Sequence, residues 1–109
     1  MHELAITESV VAGVSERVGD SKVTRVVLEI GKLSAIVPDA IRFCFDICAE
    51  GTALEGASLE IIEIPGRAEC RDCGTDILLH DVIALCPCGS ANLAFVSGQE
   101  LRIREVEVV

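Results

Sequence analysis

Leu59-Glu60-Ile61-Ile62-Glu63-Ile64-Pro65-Gly66 runs directly into Arg67-Ala68-Glu69-Cys70-Arg71-Asp72-Cys73-Gly74, so a strand pattern gives way within a few residues to a metal knuckle. The first half alternates imperfectly between apolar side chains and Glu60 and Glu63, which reads as a strand, and Pro65-Gly66 punctuates its end. In the second half, two thiolates separated by two residues converge on one ion, and the trailing glycine permits a tight turn. A hairpin-length segment later, Cys86-Pro87-Cys88-Gly89 supplies a second pair. Together Cys70, Cys73, Cys86 and Cys88 can close a tetrahedral zinc site. The surrounding stretch, from about Gly66 to Gln99, is too short for a core of its own and should gain much of its folding free energy from the metal.

Three other uses of these cysteines compete with zinc. They could be small buried hydrophobes, but paired spacing with trailing glycines is a ligand pattern. A thioredoxin-like dithiol would open a helix after a strand, whereas Asp72-Cys73-Gly74-Thr75 reads as a turn. A nucleic-acid zinc ribbon would be basic, yet only Arg67 and Arg71 stand against Glu69, Asp72, Asp76 and Asp81. The second pair is also one residue short of an ordinary knuckle, so its turn must be tighter. His80, between the pairs, could replace one thiolate there; otherwise it is a solvent-exposed side chain. Cys44 and Cys48 share a helical face with Ile41 and Phe45, which points to core packing rather than ligation.

Upstream, Ile6, Val10, Val14 and Val18 recur every four positions, with Leu4 and Val11 beside them, which predicts an amphipathic helix from Glu3 to about Val18. Lys22 to Ile30 predicts a half-buried strand, with Val26, Leu28 and Ile30 opposite Arg25 and Glu29. Pro38 suits a first helical turn and Gly51 a position just past a helix end, so a second helix lies between them. Downstream, Leu101 and Ile103 alternate with Arg102 and Arg104, then the apolar phase switches to Val106 and Val108. A bulge near Glu105, or a strand buried on both faces, would account for the switch. The expected fold class is α+β: a small mixed sheet with two helices, from 1–65 plus 100–109, interrupted by a zinc-ribbon-like domain at 66–99.

The bulk composition narrows the function. A formal net charge of −9 and the presence of only three aromatic residues, all Phe, argue against a nucleic-acid role. No apolar run approaches the roughly 20 residues of a membrane span, and Met1-His2-Glu3 does not open a secretory signal. The expectation is a cytoplasmic protein without a membrane partner, where six cysteines suggest metal before disulfides. No nucleophile and base pair suggests an enzyme. At the terminus, the α-amine, a backbone amide and the His2 imidazole are the parts of a planar nickel site, and the free leading amides of a helix leave room for it. Glu3 could add a carboxylate or orient the imidazole.

Met1-His2-Glu3-Leu4, Val26-Val27-Leu28-Glu29-Ile30-Gly31-Lys32-Leu33-Ser34, Pro38 to Phe45, Glu50-Gly51-Thr52 and the two cysteine pairs together resemble the HypA/HybF hydrogenase nickel-incorporation family over essentially the whole chain. The resemblance implies a nickel metallochaperone with a nickel-binding domain and an inserted zinc domain. It would work with a HypB-type GTPase to load the NiFe-hydrogenase large subunit, with urease as another client. It also implies that His2 is the side-chain nickel ligand, with Met1 and Glu3 beside it, and that Cys70, Cys73, Cys86 and Cys88 hold zinc. One departure stands out: the family's second knuckle carries one residue more than Cys86-Pro87-Cys88. A homodimer is left open. The reading from another class is a zinc-ribbon adaptor that binds proteins and transfers no nickel; a third class is a dithiol oxidoreductase.

Overall fold

The computed structural model describes residues 2–109. Its elements follow in the order α1 (Glu3–Val18), β1 (Val23–Gly31), α2 (Pro38–Ala49), β2 (Ser58–Ile64), β3 (Gly66–Cys70), β4 (Asp76–Leu79), β5 (Leu93–Ser97) and β6 (Leu101–Val108). Pro38 sits in the first turn of α2, and Gly51 follows its C-cap with φ +74°. The face that α1 buries is rotated from the one its valine spacing suggests. Thr7, Val11 and Val14 are buried, Ile6, Val10 and Val18 are half-buried, and Leu4 is exposed. Thr7 tolerates burial because its hydroxyl donates to the Glu3 carbonyl at 2.7 Å.

Two three-stranded sheets result, in the orders β2-β1-β6 and β4-β3-β5. In the first, β1 runs parallel to β2 and antiparallel to β6. As the central strand it is more deeply buried than the half-buried expectation, since Val27 is 1% exposed as well as Val26, Leu28 and Ile30. Those last three residues pack with Ile41 and Phe45 of α2 and Val11 and Val14 of α1 in one aliphatic core. Each large side chain there contributes about 1.5–3 kcal/mol on burial. The phase switch in β6 is a bulge: Val27 pairs with Glu105 and Leu28 with Ile103, leaving Arg104 as the extra residue.

The second sheet pairs β3 antiparallel with both β4 and β5. Its own cluster of buried side chains is only Leu33, Ala68 and Leu79. The structure extends 53 × 22 × 17 Å with a radius of gyration of 17.0 Å, against about 13 Å for a compact chain of this length. The two sheets meet at a waist where backbones touch. Leu33 N–H donates to the Gly98 carbonyl at 2.6 Å. A Cβ on Gly31 would fall 2.0 Å from the Gly98 carbonyl oxygen, and one on Gly98, at φ +111°, 2.6 Å from the Gly66 Cα.

Gly31→Ala should therefore destabilise the chain by about 1–3 kcal/mol or more, because the obstruction is backbone and cannot swing aside. Gly13→Ala, in mid-helix with nothing within 4 Å of the added Cβ, should stabilise by about 0.5–1 kcal/mol. Urea unfolding of the two variants beside the parent checks both signs.

Candidate metal centres

Cys70 is the last residue of β3, and the turn that follows is closed by two backbone hydrogen bonds, Cys70 N–H to Thr75 O at 2.9 Å and Gly74 N–H to Cys70 O at 2.8 Å. Gly74 takes φ +76°, as the knuckle requires of its glycine. The second turn closes similarly, with Gly89 N–H on Cys86 O at 2.8 Å and Cys86 N–H on Ser90 O at 2.9 Å. Gly89, at φ +94°, absorbs the missing residue. Ser90 Oγ donates to the Asp72 carboxylate and Arg71 N–H to Asn92 O, so the two turns are tied face to face.

The Sγ atoms of Cys70, Cys73, Cys86 and Cys88 lie within 4.8 Å of one another. Cys70 and Cys88 are 3.7 Å apart and Cys73 and Cys86 3.5 Å, and all four are free thiols. A tetrahedral ion with Zn–S bonds of about 2.3 Å sets its S···S edges at about 3.8 Å. The donor set and spacing fit such an ion, and the short second knuckle brings both of its sulfurs into the cluster. His80 is exposed and outside the cluster, and Cys44 and Cys48, both half-buried, also lie outside it. Cys48 packs against the aliphatic core, where burial, then Glu8 and Cys44, push its thiol up. What the sequence did not show is the strand framework of this segment: β3 and β5 read as polar or mixed stretches, and only their pairing reveals them.

Without a cation the four thiols cannot all ionise. Thr75, whose hydroxyl is 3.2 Å from the Cys73 sulfur, pulls Cys73 down to about 6, with the cluster sulfurs helping. At Cys86 the Cys88 backbone N–H acts downward, but burial and the sulfurs of Cys88, Cys73 and Cys70 outweigh it and push the thiol up to about 12. Cys88 is raised too: the Ser90 N–H and Cys86 act downward, and burial with Cys73 and Cys70 acts upward. Metal binding must displace the thiol protons, those of Cys86 and Cys88 among them, so apparent affinity falls as pH falls, by at least about 100-fold per pH unit while both of these are displaced. Competition with a chromophoric chelator across neutral pH measures that slope. Cys70→Ser and Cys88→Ser should lose the ion and His80→Ala keep it; zinc retained by Cys88→Ser but lost by His80→Ala would reverse the assignment.

At the other end, His2 is exposed and occupies the N-cap of α1, its carbonyl accepting Ile6 N–H at 3.0 Å and its side chain making no capping bond. Met1 lies outside the described residues. Glu3 reaches across to α2, where its Oε2 accepts the Val37 N–H at 3.1 Å. That bond, and one from its own backbone N–H, hold the carboxyl below its ordinary value. A depressed carboxyl stabilises the fold above its unfolded pKa and loses that contribution as pH falls through the folded value. The Val37 amide should accordingly titrate with a midpoint below 4.5, the ordinary value, and Glu3→Gln should abolish the transition in an NMR titration.

The family model described as hydrogenase/urease nickel incorporation, metallochaperone, matches residues 1–108. The chain is 60% identical over 108 residues to the hydrogenase maturation factor HypA of Trichormus variabilis, covering 99% of this chain and 96% of that one. It is 49% identical over 109 residues to the factor of the same name in Geobacter metallireducens, covering 99% of each. The solution structure of the Ni metallochaperone HypA from Helicobacter pylori is similar with a TM-score of 0.68 at 25% identity, over 100% of this chain and 98% of that one.

Proposed function

The chain belongs to the HypA family of hydrogenase/urease nickel-incorporation metallochaperones, and from that premise we propose that it binds nickel at its N-terminus and delivers it during maturation of a nickel-iron hydrogenase. The observation that carries the proposal is the family match over residues 1–108. The exposed His2 at an uncapped helix start adds support. In this reading the His2 imidazole is the side-chain ligand, with the Met1 amine and leading backbone nitrogens completing a planar set. Glu3, which is engaged by Val37, acts beside the ion by fixing the terminus against α2.

Cys70, Cys73, Cys86 and Cys88 would hold zinc, which supplies a cross-link between the two turns and no catalysis. We take residues 1–65 plus 100–109 and residues 66–99 as the two separable domains. A HypB-type GTPase as the nickel-handling partner and the hydrogenase large subunit as the recipient belong to the same reading, as does a non-enzymatic role in the cytoplasm. No helix of the described residues is long and apolar enough to cross a membrane.

Nickel titration calorimetry on the native chain, a form extended by one residue before Met1, and His2→Ala tests the terminal site. Both changes should weaken nickel binding at least tenfold, with zinc content and the thermal transition nearly unchanged. Equal affinity in all three would remove the terminal site and favour a zinc-ribbon adaptor without nickel transfer.

A further inference from the structure

The strand β6 closes one side of its sheet on β1 and, among the described residues, leaves its other side open, since the sheet order is β2-β1-β6. Open edges carry unpaired N–H and C=O groups and are ordinarily blunted by charge. The charges on this edge are arranged in a particular order. Leu101-Arg102-Ile103-Arg104-Glu105-Val106-Glu107-Val108 has its two arginines in the first half and its two glutamates in the second. Laid antiparallel on a copy of itself, it matches Arg102 with Glu107, Arg104 with Glu105, Ile103 with Val106 and Leu101 with Val108.

We infer that β6 is a self-pairing strand: two copies of the chain join edge to edge about a two-fold axis at Arg104 and Glu105, forming one six-stranded sheet. Three observations converge on this register. The first concerns the faces. Ile103, Val106 and Val108 pair with Leu28, Val26 and Val23 of the core face, while Arg102 and Glu107 pair with Glu29 and Arg25 on the opposite face. Every match in the antiparallel self-pairing joins residues of the same face.

The second is the bulge. In a regular strand, neighbours point to opposite faces, so a two-fold axis between two adjacent residues would set each against a residue of the wrong face. Here Arg104 is the extra residue, and both it and Glu105 reach the outer face, Arg104 to Glu29 at 3.8 Å and Glu105 to Arg25 at 3.5 Å. The irregularity makes the odd register compatible with two-fold symmetry.

The third is charge continuity. Arg25 already pairs with Glu107 at 2.7 Å, and Arg102 with Glu29. Across the new seam the row on the outer face becomes Arg25, Glu107, then the partner copy's arginine and glutamate from the same pairing, alternating in sign throughout. Opposite charges directly across a strand pair each favour pairing by about 0.2–1 kcal/mol, and like charges oppose it. On the inner face, Leu101, Ile103 and Val108 are 40%, 41% and 47% exposed. They border open grooves of about 590 and 410 Å³ between α1 and β6. An isologous contact covers these apolar side chains in both copies at once.

The test uses the full-length chain. Sedimentation across a dilution series should show the 11.6 kDa chain passing to twice that mass as concentration rises, with concentration-dependent amide protection confined to 101–108. A second measurement reads the register through charge. The double variant Arg102→Glu, Arg104→Glu makes the strand all acidic, and Glu105→Arg, Glu107→Arg makes it all basic. Each alone should lose at least tenfold in self-association, and an equimolar mixture should recover a heterodimer, with circular dichroism confirming that both remain folded. A monomeric parent at the highest concentration, dimerisation with protection elsewhere, or a mixture that does not associate would each overturn the inference.

Discussion

Four sulfur atoms brought within 4.8 Å of one another are the constraint on which one end of this molecule depends. The sheet that carries them has a small apolar cluster, with Leu33, Ala68 and Leu79 buried and Ile77, Ala84 and Leu93 packed against them. A segment with so little apolar burial would draw much of its folding free energy from a bound metal ion. The turns at Gly74 and Gly89, both at positive φ, set the sulfurs close together. The other sheet has no such need, because two helices close over β1 and bury Phe45, Ile41 and the valines around them.

The waist between the two sheets explains why the chain uses glycine where it does. Gly31, Gly66 and Gly98 come from three segments that cross between the sheets, and each lets a neighbouring backbone approach closer than any Cβ would allow. Only Gly66 was conspicuous in the sequence, as part of a turn signal. Close approach between segments more than 30 residues apart leaves no local trace, so no window of sequence could have assigned that role to Gly31 or Gly98.

Where the sequence was legible, a local rule sufficed. Regular apolar spacing located α1 from Glu3 to Val18 despite Gly13 within it, Pro38 and Gly51 bracketed α2, and the phase switch located the bulge in β6. The paired cysteines with trailing glycines identified their cluster, and the structure places the Cys88 sulfur in it with His80 outside. Two readings went astray for non-local reasons. The buried face of α1 is set by where α2 and β1 lie, and a polar Thr7 joins it because the helix backbone itself satisfies the hydroxyl. The central placement of β1, which buries Val27 along with the expected face, follows from pairing on both sides, which alternation within one strand does not encode.

The terminal site proposed for nickel sits where electrostatics opposes a cation. The start of α1 presents the positive end of a helix dipole, equivalent to about half an elementary charge. Glu3, the acidic residue in that first turn, already spends one carboxylate oxygen on the Val37 amide. In the proposed reading nickel would therefore be held there chiefly by nitrogen ligands in the planar geometry that suits it, with limited help from charge. Such a site would select by geometry, and protonating the imidazole would favour release by leaving the ion facing a positive helix end. The four-cysteine cluster has the opposite character: its sulfurs are close together and partly buried, and as thiolates they would hold zinc by charge as well as by geometry. In the proposed reading the two sites divide the work, the transferred ion at the terminus and the retained ion inside a folded turn.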